Sequence, residues 1–350
     1  MSTLNTKAKI RAHSRPFVVL NAGGRDPDQD FPDFAGEPNP EIHAPVNYHG
    51  FAACAGGAFV RSIEAVRGRN GKNVLLLLRS DPGQSLKVLN HLKAVGCKVW
   101  IAFKESGLHQ ISTVLTKKSN AADFRALCLD ADGALASTED AGLFYRAAGC
   151  EKVLFLPTPY PVDDPRWDFS RPIEERLGIF VGTREFDVPS RNHLTAVLAA
   201  FQLGVELGEP VSVVNVDGNS GRQHIAALQE IVPDVRVDVI DGRRSYPDYL
   251  HLISGHRIVF QLDASAVPGQ VAGDALLCRV PCVGGNGTTE RLAFPHLNGH
   301  GRDIEEVLAL ARRLLTEPTF YRSAIGESQR RANEKLSFAV IRDKLDAEFL

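Results

Sequence analysis

The feature that most constrains this chain is a rhythm that runs, breaks and restarts. KNVLLLLRS (72–80), CKVWIAF (97–103), GALAST (133–138) and KVLFLP (152–157) are short, solidly apolar runs and predict strands. GQSLKVLNHLKAVG (83–96), GLHQISTVLTKK (107–118), AADFRALCLDA (121–131) and EDAGLFYRAAG (139–149) lie between them and predict helices. Strands that are apolar on both faces and alternate with helices indicate a parallel sheet covered on both sides. TPYPVDDPRWDFSRPIEER (158–176) interrupts the pattern with four prolines and reads as a linker. Strands then resume at 177–183, 211–216, 235–241, 257–263 and 280–285, with helices at 191–208, 220–232, 245–256 and 271–279 and further helices to the end.

Upstream of this rhythm, PFVVLN (16–21) predicts a buried strand, and residues 1–15 a loosely attached arm. Residues 22–46 are rich in Pro, Gly and Asp and predict a long loop of the kind that carries function. FAACAGGAFVRSIEAVRGR (51–69) reads as a glycine-rich entry followed by a helix. A chain of 350 residues favours two domains over one. The expected division is a first α/β domain over 1–160, a linker over 161–176 and a second α/β domain over 177–335. A C-terminal helix over 336–350 would be free to pack back on the first domain.

Charge and cysteine usage narrow the class. The formal net charge is −2, so no overall positive field draws in nucleic acid or an anionic membrane. Six scattered cysteines without a CxxC predict buried, reduced thiols and hence a cytoplasmic protein. The basic N-terminus has no apolar core of a secretory signal, and no run of about 18 apolar residues predicts a membrane span. GxGxxG and GxxxxGK[ST] are absent, which argues against a dehydrogenase and a P-loop ATPase.

Three stretches resemble the retaining glycosyltransferases of the family 4 type, whose fold is GT-B: two Rossmann-like domains facing each other across a cleft. They are ADGALASTEDAGLFYRAAGCEKVLFLPTPYPVDD (131–164), IFVGTREFDVPSRNHLTAVLAAF (179–201) and VFQLDASAVPGQVAGDALLCRVPCVGGNGTTE (259–290). The third is similar to the segment in which that family carries two glutamates seven residues apart. Here Asp274 falls on the second and Ala266 on the first, while Arg191 and Asn192 stand where the family has lysine and glycine.

The resemblance implies transfer of a hexose-like unit from a nucleoside-diphosphate sugar, with retention, to a hydroxyl acceptor that is a saccharide, lipid-linked or otherwise. A lipid-linked acceptor would bring a peripheral membrane contact; the oligomeric state is left open. No resident cofactor and no metal site are expected, because arginines and a helix N-terminus can neutralise a leaving diphosphate.

For that diphosphate the expected groups are Arg184 and Arg191, which can pair phosphate oxygens bidentately, with Gly182 in the turn before Arg184. The helix start at Pro268, Gly269, Gln270 and Val271 would aim free N–H groups at the anion. The GGNGTT loop (284–289) would allow close backbone approach. Asp274 is expected on the ribose and Ile240, in VIDGRR (239–244), near the base, with Arg243 and Arg244 close by. Asp263 or Gln270 could stand in for the carboxylate missing at Ala266. In the first domain, the resemblance places Gly56 and Gly57 near the phosphates and acceptor. His109, ahead of His43 and His49, is the candidate acceptor-side base.

Three rival readings remain: a nucleotide-sugar epimerase, a degenerate domain that binds nucleotide or a partner without turnover, and a DNA-base glycosyltransferase. The last would need a basic groove from Arg61, Arg67, Arg69 and Lys72, so nucleic acid is the least favoured partner.

Overall fold

A computed structural model of the chain describes residues 17–24, 45–67, 72–242 and 244–349. The arm expected at 1–15 and most of the long loop expected at 22–46 lie outside the described residues, as do His43, Arg69 and Arg243. The expected α/β architecture is present as two wholly parallel sheets. The first contains β1 (Phe17–Leu20), β2 (Ala58–Val60), β3 (Asn73–Leu78), β4 (Lys98–Phe103), β5 (Gly133–Ala136) and β6 (Val153–Phe155) in the spatial order β2-β1-β3-β4-β5-β6. The second contains β7 (Ile179–Val181), β8 (Val211–Asn215), β9 (Val237–Asp241), β10 (Ile258–Phe260) and β11 (Cys282–Val283) in the order β11-β10-β7-β8-β9.

The apolar runs explain the sheets. Every residue of β3, NVLLLL, is buried, as is every residue of β7 and β8. Such strands satisfy their backbone groups only by pairing on both edges and hide their side chains only under helices. Those helices start where local chemistry stops the preceding strand. Asp81 caps Pro82–Ala94 by accepting from the Gln84 N–H at 3.0 Å, and Thr138 caps Glu139–Ala147. Asp303 and Glu306 form a reciprocal capping box on Ile304–Thr316.

Both sheets have a point where the strand order reverses. In the first, the chain goes from β1 to β2 on one side and then crosses to β3 on the other. In the second, β8 and β9 lie on one side of β7, and β10 and β11 on the other. Open α/β sheets bind ligands at the carboxyl ends of strands beside such a reversal.

The connecting segment is well packed. Tyr160, Trp167 and Phe169 are buried in the core of the second half, and Arg176 donates to the carbonyls of Arg171 and Arg279 and to the Tyr321 hydroxyl. The last helix, Phe338–Phe349, returns to the first sheet, where the Phe349 ring meets Phe17 at 5.3 Å and Trp100 at 4.7 Å. No helix among the described residues is long and apolar enough to cross a membrane. None of the six cysteines forms a disulfide among the described residues, and five of them are buried.

One segment differs from its sequence reading. The Gly56–Gly57 pair ends a helix, Asn47–Cys54, instead of opening one, and β2 follows directly. Gly56 takes the left-handed conformation at φ +60°, a common way to stop a helix. At Gly57, a Cβ would fall 2.3 Å from the Phe17 carbonyl oxygen, so only glycine fits against β1.

Candidate functional site

The carboxyl ends of the two sheets flank a cleft of about 300 Å³. From the second half, the wall is built by Gly182, Thr183, Arg184 and Glu185 after β7, Gln261 and Asp263 after β10, and Pro268 to Val271. These are the segments beside the strand-order reversal of the second sheet. From the first half, the wall is Asn47, Tyr48 and His49 at a helix start and Lys104 to Gly107 after β4. Arg191 and Glu290 complete the second-half side, and Gln110 and Thr158 the first.

Helix starts converge on this space. Asn47–Cys54 and Gln270–Leu277 both begin on the cleft, and neither has a side-chain cap on its free N–H groups. Asn47 Nδ2 donates to Gln270 Oε1 across the cleft at 3.0 Å. A third helix, Leu108–Leu115, begins at Gly107, whose N–H is taken by Gln110 Oε1 at 3.1 Å. Uncapped N-termini carry partial positive charge and offer hydrogen bonds to an anion. Glycine makes the second-half start possible. Gly269 sits at φ +89°, and a Cβ on Gly182 would come within 2.4 Å of Val271 Cγ1.

The two arginines differ. Arg184 makes no hydrogen bond or ion pair among the described residues, and its guanidinium lies over the Tyr249 ring at 5.1 Å. Arg191 bonds to Asp263 and lies 3.8 Å from Glu185. Burial alone would lower the Arg191 pKa, but the Asp263 carboxylate outweighs it and the net shift is upward. The loop that brings these partners together is stitched by Asn192 Nδ2 donating to the Leu262 carbonyl at 3.0 Å and Ser265 Oγ to Ser190 Oγ at 2.9 Å.

Two buried carboxyls lie close behind the wall. Glu290 is 2% exposed, accepts from Gln261 Nε2 at 2.8 Å through Oε1, and leaves Oε2 without a partner. Asp274 is 1% exposed, accepts from the Tyr246 hydroxyl at 2.6 Å through Oδ1, and leaves Oδ2 without a partner. Burial raises both, each to about 7; for Asp274 the Tyr246 bond and the Arg184 charge offset part of the rise. Nearby, His193 donates to or accepts from Thr183 Oγ1 at 2.9 Å, and burial lowers its pKa to about 4.

No family model matches the sequence, and no curated protein matches it. Solved structures do match. The N-terminal domain of trehalose-6-phosphate phosphatase from Candida albicans aligns with a TM-score of 0.62 at 10% identity, over 80% of this chain and 70% of that one. A glycosyltransferase from Rickettsia africae ESF-5 aligns with a TM-score of 0.60 at 12% identity, over 82% and 78%. A UDP-forming α,α-trehalose-phosphate synthase from Burkholderia xenovorans aligns with 0.58 at 12%, over 80% and 73%. The fold is GT-B. These neighbours support that fold without singling out the family 4 type.

Within the GT-B frame, the expected residues sort by position. Gly182, Arg184, Arg191, Pro268, Gly269, Gln270 and Val271 all line the cleft. Gly56 and Gly57 do not: they precede β2 and so occupy the amino-terminal edge of a parallel sheet whose carboxyl edge faces the cleft. His109 is exposed and is not among the lining residues, where His49 stands instead, stacked on Phe59 at 3.7 Å. Ile240 lies on β9, an edge strand separated from β7 by β8. Asp274 sits in the core behind the wall, held by Tyr246, because its helix turns that face inward. Ala266 lines a different hollow with Thr138, Asp140 and Arg291, and Gly285 and Asn286 line a third with His300 and Arg302.

Sequence reasoning missed Asn47 and Glu290. Asn47 opens its helix after Val46, which offers no side-chain cap, and Glu290 is one acid in a short helix after a glycine loop. Only the approach of distant segments marks either one.

Proposed function

We propose that the cleft binds a nucleoside-diphosphate sugar and transfers its glycosyl unit to a hydroxyl acceptor lying against the first half. One observation carries this reading. An uncapped helix start at Gln270 and an arginine with no hydrogen bond or ion pair among the described residues, Arg184, meet beside the strand reversal of the second sheet. A diphosphate supplies the charge both lack, and charge-assisted bonds of this kind strengthen as the group leaves. Arg191, anchored by Asp263, adds a fixed positive charge on the same wall. The first-half wall offers amide, hydroxyl and imidazole groups at Asn47, Ser106, Thr158 and His49, suited to a polyhydroxyl acceptor. Transfer with retention and without a metal is part of the proposal, supported by the sequence resemblance and by the cationic groups placed to neutralise the leaving diphosphate. The UDP-forming synthase among the neighbours makes UDP the first base to try.

A second reading is binding without turnover. It is favoured by the sealed position of Asp274 and by one neighbour being the N-terminal domain of a phosphatase. Thermal melting with UDP, GDP, ADP and dTDP, each with and without EDTA, tests the donor site, since a ligand of the native state raises the midpoint. A rise with one nucleotide that survives EDTA and shrinks in Arg184→Ala supports the nucleotide site that both readings share. Hydrolysis of the matching nucleotide sugar then separates the two. No rise with any nucleotide removes the donor reading.

A further inference from the structure

Most polar atoms on the second-half wall are already engaged. Asp263 bonds to Arg191 through Oδ2 and accepts the Ser265 N–H at 2.7 Å through Oδ1. Gln261 spends its amide N–H on Glu290. Asp274 lies behind the wall. Glu290 differs from all of these. Its carboxyl reaches the cleft lining, is 2% exposed and keeps Oε2 without a partner.

The surrounding backbone is shaped around that oxygen. A Cβ on Gly269 would fall 2.0 Å from Oε2, and one on Gly287 would fall 2.3 Å from it. Both positions are glycine, which leaves the oxygen room beside the start of Gln270–Leu277. An unsatisfied carboxyl oxygen held there costs stability unless something in the cleft bonds it.

We infer that Glu290 bonds a hydroxyl of the glycosyl unit carried by the nucleotide, and so selects which sugar the cleft accepts. This rests on the donor reading above. The diphosphate would be drawn to Arg184 and to the free N–H groups at Gln270 and Val271, and the unit attached to it would then lie beside them. A sugar hydroxyl is both donor and acceptor. A carboxyl lifted by burial to about 7 can serve it in either protonation state near neutral pH. The hydroxyl thereby fills the vacancy at Oε2. A site built to bond a hydroxyl rejects analogues that lack it, because the buried partner is then left unpaired.

Isothermal titration of the full chain tests this. The probes are UDP, GDP, ADP and dTDP, then UDP-glucose or the corresponding hexose derivative of whichever nucleotide binds, then its single-deoxy analogues. Glu290→Ala should keep nucleotide affinity within about twofold and weaken the nucleotide sugar about tenfold. Wild type should discriminate against one deoxy analogue, and Glu290→Ala against none. Glu290→Asp, which keeps the charge but shortens the reach, should behave like Glu290→Ala and serves if that variant fails to fold. Equal losses for nucleotide and nucleotide sugar, or none for either, overturn the assignment of Glu290 and leave the donor reading standing. Failure of all four nucleotides to bind wild type overturns the donor reading and this inference with it.

Discussion

The two halves of this protein solve the same packing problem and then diverge at the cleft. Each buries a parallel sheet under helices, and each brings an uncapped helix start to the opening, Asn47–Cys54 from one side and Gln270–Leu277 from the other. Around the first start stand Tyr48, His49 and Ser106, with Lys104 and Glu105 paired to each other; around the second stand Arg184, Arg191, Asp263 and Glu290. Helix geometry alone therefore does not make an anion site. The side chains delivered by neighbouring strand ends decide what each start can hold. In the second half they supply fixed charge; in the first they supply hydrogen-bonding groups fit for hydroxyls.

Titration should separate the halves most sharply. Asp274, in the second half, has a native pKa raised to about 7, well above its ordinary value. A raised carboxyl contributes stability that is complete below its unfolded pKa of about 4 and is lost as pH rises through about 7. Asp274→Asn removes this dependence. Its stability relative to wild type should rise by about 3 kcal/mol between pH 4 and pH 8, read from urea midpoints at each pH. A constant difference across that range would mean that the native pKa of Asp274 is not raised.

Glycines inside helices give the next contrast. A Cβ on Gly273 would lie 1.8 Å from Tyr160 Cζ, on a wholly buried ring of the connecting segment. Gly273→Ala should cost about 2 kcal/mol, because the ring has nowhere to move. At Gly142, in the first half, the nearest atoms to a Cβ are 3.4 Å away and belong to the Arg146 side chain. Gly142→Ala should instead gain about 0.5 kcal/mol from helix propensity. Equal midpoints for both variants in urea unfolding would erase this distinction.

Charge removal tests the ligand side of the comparison. Arg184→Ala should weaken nucleoside-diphosphate binding about tenfold, as loss of a charge-assisted bond does. Lys104 faces the cleft from the first half and is paired with Glu105 at 2.7 Å. Lys104→Ala should change that affinity less than twofold, by titration calorimetry at constant salt. If Lys104 matters as much as Arg184, the diphosphate is shared between the halves. The smallest effect belongs to His109→Ala, an exposed site off the cleft, where stability should stay within about 0.5 kcal/mol and acceptor turnover unchanged.

The sequence carried the fold because its cues are local. LLLL in β3, IFV in β7 and the prolines of 158–176 state burial and interruption without reference to distant residues. Much of the second-half wall was legible for the same reason. Gly182, Arg184 and Pro268–Val271 follow strand ends, and parallel strands send their ends to one edge. Of the first-half wall, the candidate histidines included only His49. Gly56–Gly57 looks the same in sequence whether it stops a helix or starts one, and only the contact with Phe17 decides. Asp274 also sits in a helix start that reaches the cleft, yet helical rotation turns its carboxyl to Tyr246.

By itself, then, the amino-acid sequence determined two helix-covered parallel sheets, the break between them and the strand-end segments that would carry charge. Periodicity and proline placement act over a few residues, so they survive without the fold. Tertiary structure alone decided that Asn47 meets Gln270, that Asp263 takes Arg191 and leaves Arg184 without an ion pair, and that Glu290 lies under Gly269. Those contacts join segments as much as 223 positions apart. They depend on how two sheets face each other, which no local pattern encodes.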